Sequence, residues 1–122
     1  MGWEVDPESL ITTLLTTQQR LPGVPLYITE NGAAFADKLV AGKVDDQKRI
    51  NYHLLHLEAA MRAKELGVEL HGYFAWSLLD NLEWAQGWSK CFGLIQVDPL
   101  TQQRTPKASA YFYRDLLKKR VT

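Results

Sequence analysis

The chain has 122 residues, 46% of them hydrophobic and 23% charged, and its 14 Lys and Arg balance its 14 Asp and Glu. This is room for one small domain of ordinary globular composition, and the zero net charge removes the electrostatic case for nucleic acid or an anionic membrane as partner. Cys91 is the single cysteine, so no internal disulfide can form, which fits a reducing compartment.

Met1-Gly2-Trp3-Glu4-Val5-Asp6-Pro7 has neither a basic start nor a long apolar run, so no secretory signal is expected here. Nowhere do about 18 apolar residues run together, so no spanning helix is expected, and the expected setting is cytoplasmic.

Asp6-Pro7-Glu8 predicts a helix start: a capping carboxylate, proline at the first position and an acid in the first turn. Leu10, Ile11, Leu14 and Leu15 follow at helical spacing, and Leu21-Pro22-Gly23 ends the run. Val24 to Thr29 reads as a short buried strand. Residues 31–44, with Gly32 and Gly42 and no clear period, read as a loop. A second helix is expected from Asp45 or Asp46, with Ile50, Leu54, Leu57, Met61 and Leu66 as its apolar stripe and Gly67 as its C-cap. Val68 to Trp76 is the next expected strand, followed by a long aromatic loop. Phe92 to Val97 alternates like a hairpin arm closed by Asp98-Pro99. Thr105-Pro106 opens a last helix with Tyr111, Phe112, Leu116 and Leu117 inward, and Lys118-Lys119-Arg120 suits its negative end.

Two strands separated by a long helix are expected to be parallel, joined by a crossover. Such a pair closes no sheet, and purely parallel sheets are covered on both faces. The expectation is therefore incompleteness: two consecutive β/α units of something larger. In β/α barrels the active-site residues lie at the C-terminal ends of the strands. Glu30 follows the first strand directly, and Glu83 lies in the loop after the second. Taken alone, a glutamate before Asn-Gly is usually a turn residue.

The tryptophans allow two readings, buried core or sugar platform. Trp76 and Trp84, beside acids in one loop, favour sugar contact, and Trp3 and Trp88 favour structure or rim. His53 and His56, three residues apart, are too sparse for a metal site. His71 lies near a strand start, away from the catalytic end. All three histidines are expected to be structural or solvent-facing, Cys91 an inert small residue, and Lys118-Lys119-Arg120 a helix-end charge run.

Four segments, in order, carry a resemblance. They are Gly2-Trp3-Glu4-Val5 with Pro7-Glu8; Ile28-Thr29-Glu30-Asn31-Gly32; Ala75-Trp76-Ser77-Leu78-Leu79-Asp80-Asn81; and Lys90-Cys91-Phe92-Gly93-Leu94 with Arg104-Thr105-Pro106-Lys107. Together they resemble the C-terminal signature of the family 1 glycoside hydrolases, the β-glucosidase and β-galactosidase group. The resemblance implies an α/β fold: residues 1–122 as a C-terminal fragment of one (β/α)8 TIM-barrel domain. That fragment comprises the last two β/α units, strands 7 and 8, with a preceding helix and a β-hairpin insertion.

By motif, Glu30 resembles the catalytic nucleophile that attacks the anomeric carbon. Glu83 resembles the residue that grips the far hydroxyls of the glycone with help from Trp84, Trp76 the platform beneath that sugar, and Phe92 a wall of the same subsite. Tyr27 receives no role. Asp6 stands where the family often has an aromatic, Leu82 where it often has phenylalanine, and Gln96 where an aromatic is common, departures that point to an altered aglycone side.

The resemblance implies a β-glucoside or related β-glycoside as substrate, with glucose favoured by the Glu83-Trp84 pair, and no metal or organic cofactor. The Asn-Glu-Pro segment that carries the family's general acid/base does not occur in this sequence. Without that acid the expected loss is on the order of 10²–10⁴-fold. Activity is therefore expected only with an N-terminal portion of the barrel as partner. The alternative is a non-catalytic sugar-binding or barrel-complementing fragment, while an unrelated flavodoxin-like module fails for want of strands.

Overall fold

The computed structural model describes residues 2–119. Asp6 begins the first element as its sequence dictates: its carboxylate accepts the amides of Glu8 at 3.1 Å and Ser9 at 3.3 Å, and Pro7 needs no partner for an amide it lacks. Helix α1 (Pro7–Arg20) leads to strand β1 (Leu26–Asn31), and helix α2 (Gln47–Glu65) carries the chain to strand β4 (Leu70–Ala75). Between β1 and α2 lie two short strands, β2 (Leu39–Val40) and β3 (Lys43–Val44). A short 3₁₀ segment (Trp84–Ser89), strands β5 (Ile95–Val97) and β6 (Arg104–Pro106) and helix α3 (Ala108–Lys118) complete the order.

β1 and β4 pair in parallel, with Leu26 opposite Leu70, Tyr27 opposite Gly72, Ile28 opposite Tyr73 and Asn31 opposite Ala75. Two register irregularities interrupt the ladder. The parallel arrangement follows from the crossover through α2, as the sequence leads one to expect. One face of the pair is covered: Ile11 and Leu14 of α1, Ile28, Ala59, Ala60 and Ala63 of α2, Val68 and Leu70 form the core. The opposite face leaves Tyr27 and Phe74 exposed. Among the described residues each of the two strands has a single neighbour. No helix among them is long and apolar enough to cross a membrane.

Several expectations are corrected. The inward face of α2 is not the stripe Ile50, Leu54, Leu57, Met61, Leu66 but Arg49, His53, His56, Ala59, Ala60 and Ala63. Leu54, Met61 and Leu66 are exposed. The small alanines let α2 approach α1 and the sheet closely, and the leucine stripe turns toward the uncovered flank of β4, where Leu57 and Met61 border a cleft with Leu70 and Tyr73. His53 and His56 are buried and so take the structural side of the expectation, and His71, exposed beside the Tyr27 ring, takes the solvent-facing one.

The segment 31–44 is not wholly a loop. Ala41 and Gly42, with φ of 48° and 73°, make the left-handed turn that a tight hairpin needs, and β2 and β3 pair across it. Thr105 and Pro106 do not open α3; they pair with β5, Ile95 opposite Pro106, and the helix starts at Ala108. Within α3, Phe112 and Leu116 are half-buried as expected, but Tyr111 and Leu117 face outward. Of the expected basic run, Lys118 ends the helix, Lys119 is its C-cap and Arg120 lies outside the described residues. Gly67, at φ 100°, terminates α2 as expected.

Candidate active site

Glu30 is the penultimate residue of β1, because the strand ends at Asn31, two residues beyond the expected Thr29, and it is exposed. Because β4 runs parallel to β1, the segment after Ala75 emerges at the same end. Trp76 leaves β4 there, its amide donating to the Asn31 carbonyl at 2.8 Å. Gly32 explains why Asn-Gly follows the acid. A Cβ on it would lie 1.7 Å from the Trp76 carbonyl oxygen, so only glycine lets the two backbones cross.

The aromatic loop is held by the chain that follows it. Ser77 donates its amide to the Phe92 carbonyl at 3.2 Å, Leu94 donates to Ser77 at 2.8 Å, and Ile95 donates to Leu78 at 2.9 Å. Phe92 to Leu94 therefore braces the 77–80 segment, and the expected hairpin arm is confined to Ile95–Val97, which pairs with β6. Gly93 has the same logic as Gly32: a Cβ there would meet the Asp80 amide nitrogen at 2.2 Å. Past this brace, Glu83 closes a tight loop, its amide donating to the Gly87 carbonyl at 2.9 Å and its carbonyl accepting from Gln86 at 2.7 Å. Gly87, at φ 57° and ψ −136°, makes that loop possible.

Glu30 and Trp76 thus stand at one end of the parallel pair, and Glu83 and Trp84 lie in the loop that leaves that end. Trp76 and Glu83 are half-buried, whereas Trp84 is 91% exposed. Phe92 is buried and lines a cleft of about 130 Å³ with Trp3, Ala33, Phe35 and Tyr52. Trp3 and Trp88 are exposed rather than core.

Sequence reasoning missed the support beneath these residues, a buried ion network. Lys107 Nζ lies 2.6 Å from Asp37 Oδ2 and 2.9 Å from Asp80 Oδ1. Arg49 Nη2 lies 2.9 Å from Asp37, Nη1 pairs with Asp46, and Nη2 also donates to the Cys91 carbonyl at 2.6 Å. Asp46 caps the neighbouring helix, accepting the Ser109 amide at 2.8 Å, and Asp80 accepts the Gly93 amide at 2.8 Å. Burial would lower the pKa of Arg49, but its hydrogen bonds and charge pairing with Asp37 and Asp46 outweigh that and raise it. Asp37, Asp80 and the Cys91 thiol come close enough together to suggest a cation site. Lys107 already supplies the positive charge shared by the two carboxylates, and burial pushes the Cys91 thiol up, away from the thiolate a metal would take.

A signal for part of this lay in the sequence. Asp80 and Lys107 fall inside two of the four resembling segments, in positions where the candidate sugar contacts need no charge. Asp37, in a segment without period, carried none.

The sequence profile described as glycosyl hydrolase family 1 matches residues 1–121. The chain belongs to glycosyl hydrolase family 1. A 1,4-β-D-glucan glucohydrolase of Thermotoga neapolitana is 50% identical over 119 residues, which are 97% of this family 1 chain and 27% of the relative. Among solved structures, the AHE enzyme from Alicyclobacillus herbarius superimposes with a TM-score of 0.96 at 50% identity, covering 98% of this chain and 27% of that one. The family 1 β-glucosidase from Thermotoga maritima in complex with isofagomine lactam superimposes with a TM-score of 0.94 at 48% identity, covering 97% and 27%. The chain thus spans about a quarter of the length of the relatives it matches. Its partial α/β architecture is that of a piece of their TIM barrels.

Proposed function

We propose that this family 1 chain is the C-terminal portion of a retaining β-glycosidase, with a β-glucoside as substrate, and forms the last two β/α units, strands 7 and 8, of its barrel. The observation that carries the proposal is that Glu30 lies near the end of β1 and Trp76 leaves the parallel β4 at the same end, with Glu83 in the loop that follows, the end at which barrel enzymes do their chemistry. Names of relatives such as glucohydrolase and β-glucosidase support glucose as the sugar.

In this reading the Glu30 carboxylate attacks the anomeric carbon while the glycosidic C–O bond breaks, and the leaving oxygen takes its proton from an acid. A retaining mechanism sets that acid about 5 Å from the nucleophile. It belongs to the N-terminal portion of the barrel. Water then attacks the glycosyl-enzyme and frees Glu30. Glu83 and Trp84 hold the far hydroxyls of the glycone, Trp76 lies beneath the ring, and Phe92 walls the subsite. Neither step draws on a metal or organic cofactor. Alone, the chain lacks both acid and enclosing pocket and is inactive, since positioning and electrostatics vanish with them.

One observation favours a second reading, a barrel-complementing fragment without chemistry of its own: the exposed Tyr27, Phe74, Leu54 and Met61 beside two strands that, among the described residues, each pair along one edge only. The two readings part on one assay: hydrolysis of an aryl β-glucoside by the chain alone and by its mixture with a family 1 N-terminal complement. Activity in the mixture only, abolished by Glu30→Gln, is the outcome expected of the glycosidase. Assembly without activity leaves the complementing fragment.

A further inference from the structure

Asn31, the residue after Glu30, joins three elements. Its backbone carbonyl accepts the Trp76 amide at 2.8 Å. Its side-chain Oδ1 accepts the Tyr73 hydroxyl of β4 at 2.7 Å. The Tyr52 hydroxyl of α2 lies beside the same side chain; burial raises that phenol's pKa, and the neighbouring Asn31 opposes the rise. Both phenols are themselves held. The Tyr52 ring stacks on His56 with centroids 4.0 Å apart, and His56 Nδ1 is hydrogen-bonded to the Tyr52 carbonyl at 2.8 Å. Tyr73 packs partly buried against the core of α1, α2 and the sheet, where burial holds its pKa far above the ordinary phenol value and keeps its proton available to Asn31.

Next in the chain, Gly32 leaves no room for a Cβ beside the Trp76 carbonyl oxygen. The backbone beside Glu30 is therefore fixed on both Trp76 peptide groups at once, while Glu30 itself stays exposed and, among the described residues, receives no side-chain hydrogen bond in the ladder just traced.

We propose that Asn31 is a positioning residue that sets Glu30 against Trp76, with the Tyr73 hydroxyl locking its amide and Tyr52 packed beside it; this rests on the glycosidase reading above. An asparagine serving only the strand end would use its backbone, and its side chain would be free to face solvent. Here the side chain instead spans from β4 to α2, so a rotation of Asn31 breaks contacts with both. Because attack at the anomeric carbon needs the carboxylate aligned to within a fraction of an ångström, loosening this lock acts on the chemical step more than on sugar binding.

The variant to make is Tyr73→Phe, which removes one oxygen, with Tyr52→Phe as the second should the first fail to fold. In the mixture with the N-terminal complement, kcat on an aryl β-glucoside is expected to fall about tenfold while KM stays within about twofold. An unchanged kcat, or a raised KM at full kcat, overturns the proposal. Hydrogen exchange at the Trp76 amide, measured in the full chain, supplies the second readout. It is expected to quicken roughly fivefold or more relative to the Ile28 amide in the variant. An unchanged ratio overturns the proposal. If the unaltered mixture assembles but does not hydrolyse, the glycosidase reading fails, and the exchange ratio alone decides whether Asn31 is locked.

Discussion

Lys107 Nζ sits between Asp37, 70 residues earlier, and Asp80, 27 residues earlier, at 2.6 and 2.9 Å, and all three side chains are buried. One ammonium thereby ties the segment after β1 to the segment after β4 and both to the start of α3. Removing a partner from a buried pair leaves the remaining charges uncompensated, which costs about 3–5 kcal/mol. Lys107→Met is expected to destabilise the chain by that order, read as a fall in the denaturation midpoint at unchanged slope. Since Lys107 faces two carboxylates, Asp80→Asn leaves the Lys107–Asp37 pair in place and is expected to cost less. Equal losses in the two variants would show that the ammonium does not bridge.

Gly32 and Gly42 separate two reasons for glycine. At Gly32 the space is absent: the added Cβ would meet the Trp76 carbonyl at 1.7 Å. At Gly42 the space is open, and only the φ of 73° disfavours other residues. Gly32→Ala must move backbone on one side or the other, for an expected destabilisation of roughly 2–4 kcal/mol. Gly42→Asn keeps a residue that tolerates the left-handed region and is expected to stay within ~1 kcal/mol. Urea denaturation of the two variants side by side checks the ordering, and a milder effect at Gly32 contradicts the backbone crossing.

What the sequence made legible divides along physical lines. Glu30 at a strand end and Glu83 with Trp84 in the following loop were placed by strand order and parallel pairing, which depend on local pattern and crossover length. The face of α2 was not. Hydrophobic periodicity located Leu54, Leu57 and Met61 on one stripe, but it says where apolar residues sit, not which face the rest of this chain covers. The alanines at 59, 60 and 63 cover the sheet because they are small enough for close packing, and the leucines face an uncovered flank. Lys107 lay in a resembling segment, but its burial was unreadable for another reason. A lysine after Pro106 is ordinarily solvated, and its burial depends on Asp37 and Asp80, which only the tertiary fold brings to it.

His53 is fully buried on α2, with neither ring nitrogen hydrogen-bonded. Its surroundings are Arg49 and His56 on the same helix, Asp46 before it, and the rings of Tyr52 and Tyr113, the latter from α3. Burial first, then the positive charge of Arg49, lowers its pKa to about 4 from 6.5, a shift that the charge of Asp46 opposes. The unfolded chain therefore binds a proton between about pH 6.5 and pH 4 that the folded chain refuses. The contribution of His53 is fully present above pH 6.5 and is lost as pH falls toward 4, by up to about 3 kcal/mol. His53→Phe, matched in shape and without a titrating group, is expected to flatten stability across that window. An undiminished slope in the variant would assign the acid sensitivity to other groups, His56 first among them, whose pKa burial also lowers.

Trp84 offers the cleanest division between holding the fold and holding a sugar. It is 91% exposed and follows Glu83 at the opening of the 3₁₀ segment. A large aromatic left in water contributes little to folding, so Trp84→Ala is expected to change stability by no more than about 0.5 kcal/mol. If its ring covers the glycone beside Glu83, the same change removes contact made in both ground and transition states. In the complemented mixture KM should then rise about tenfold with kcat nearly unchanged. On the proposed reading, Glu83→Gln keeps the shape and removes a charge that would grip vicinal hydroxyls, and is expected to raise KM further. Thermal denaturation alongside steady-state kinetics separates the effects. A Trp84→Ala variant that melts early, or one that binds its substrate as well as the unaltered chain, would place the ring in the barrel interface instead of the sugar site.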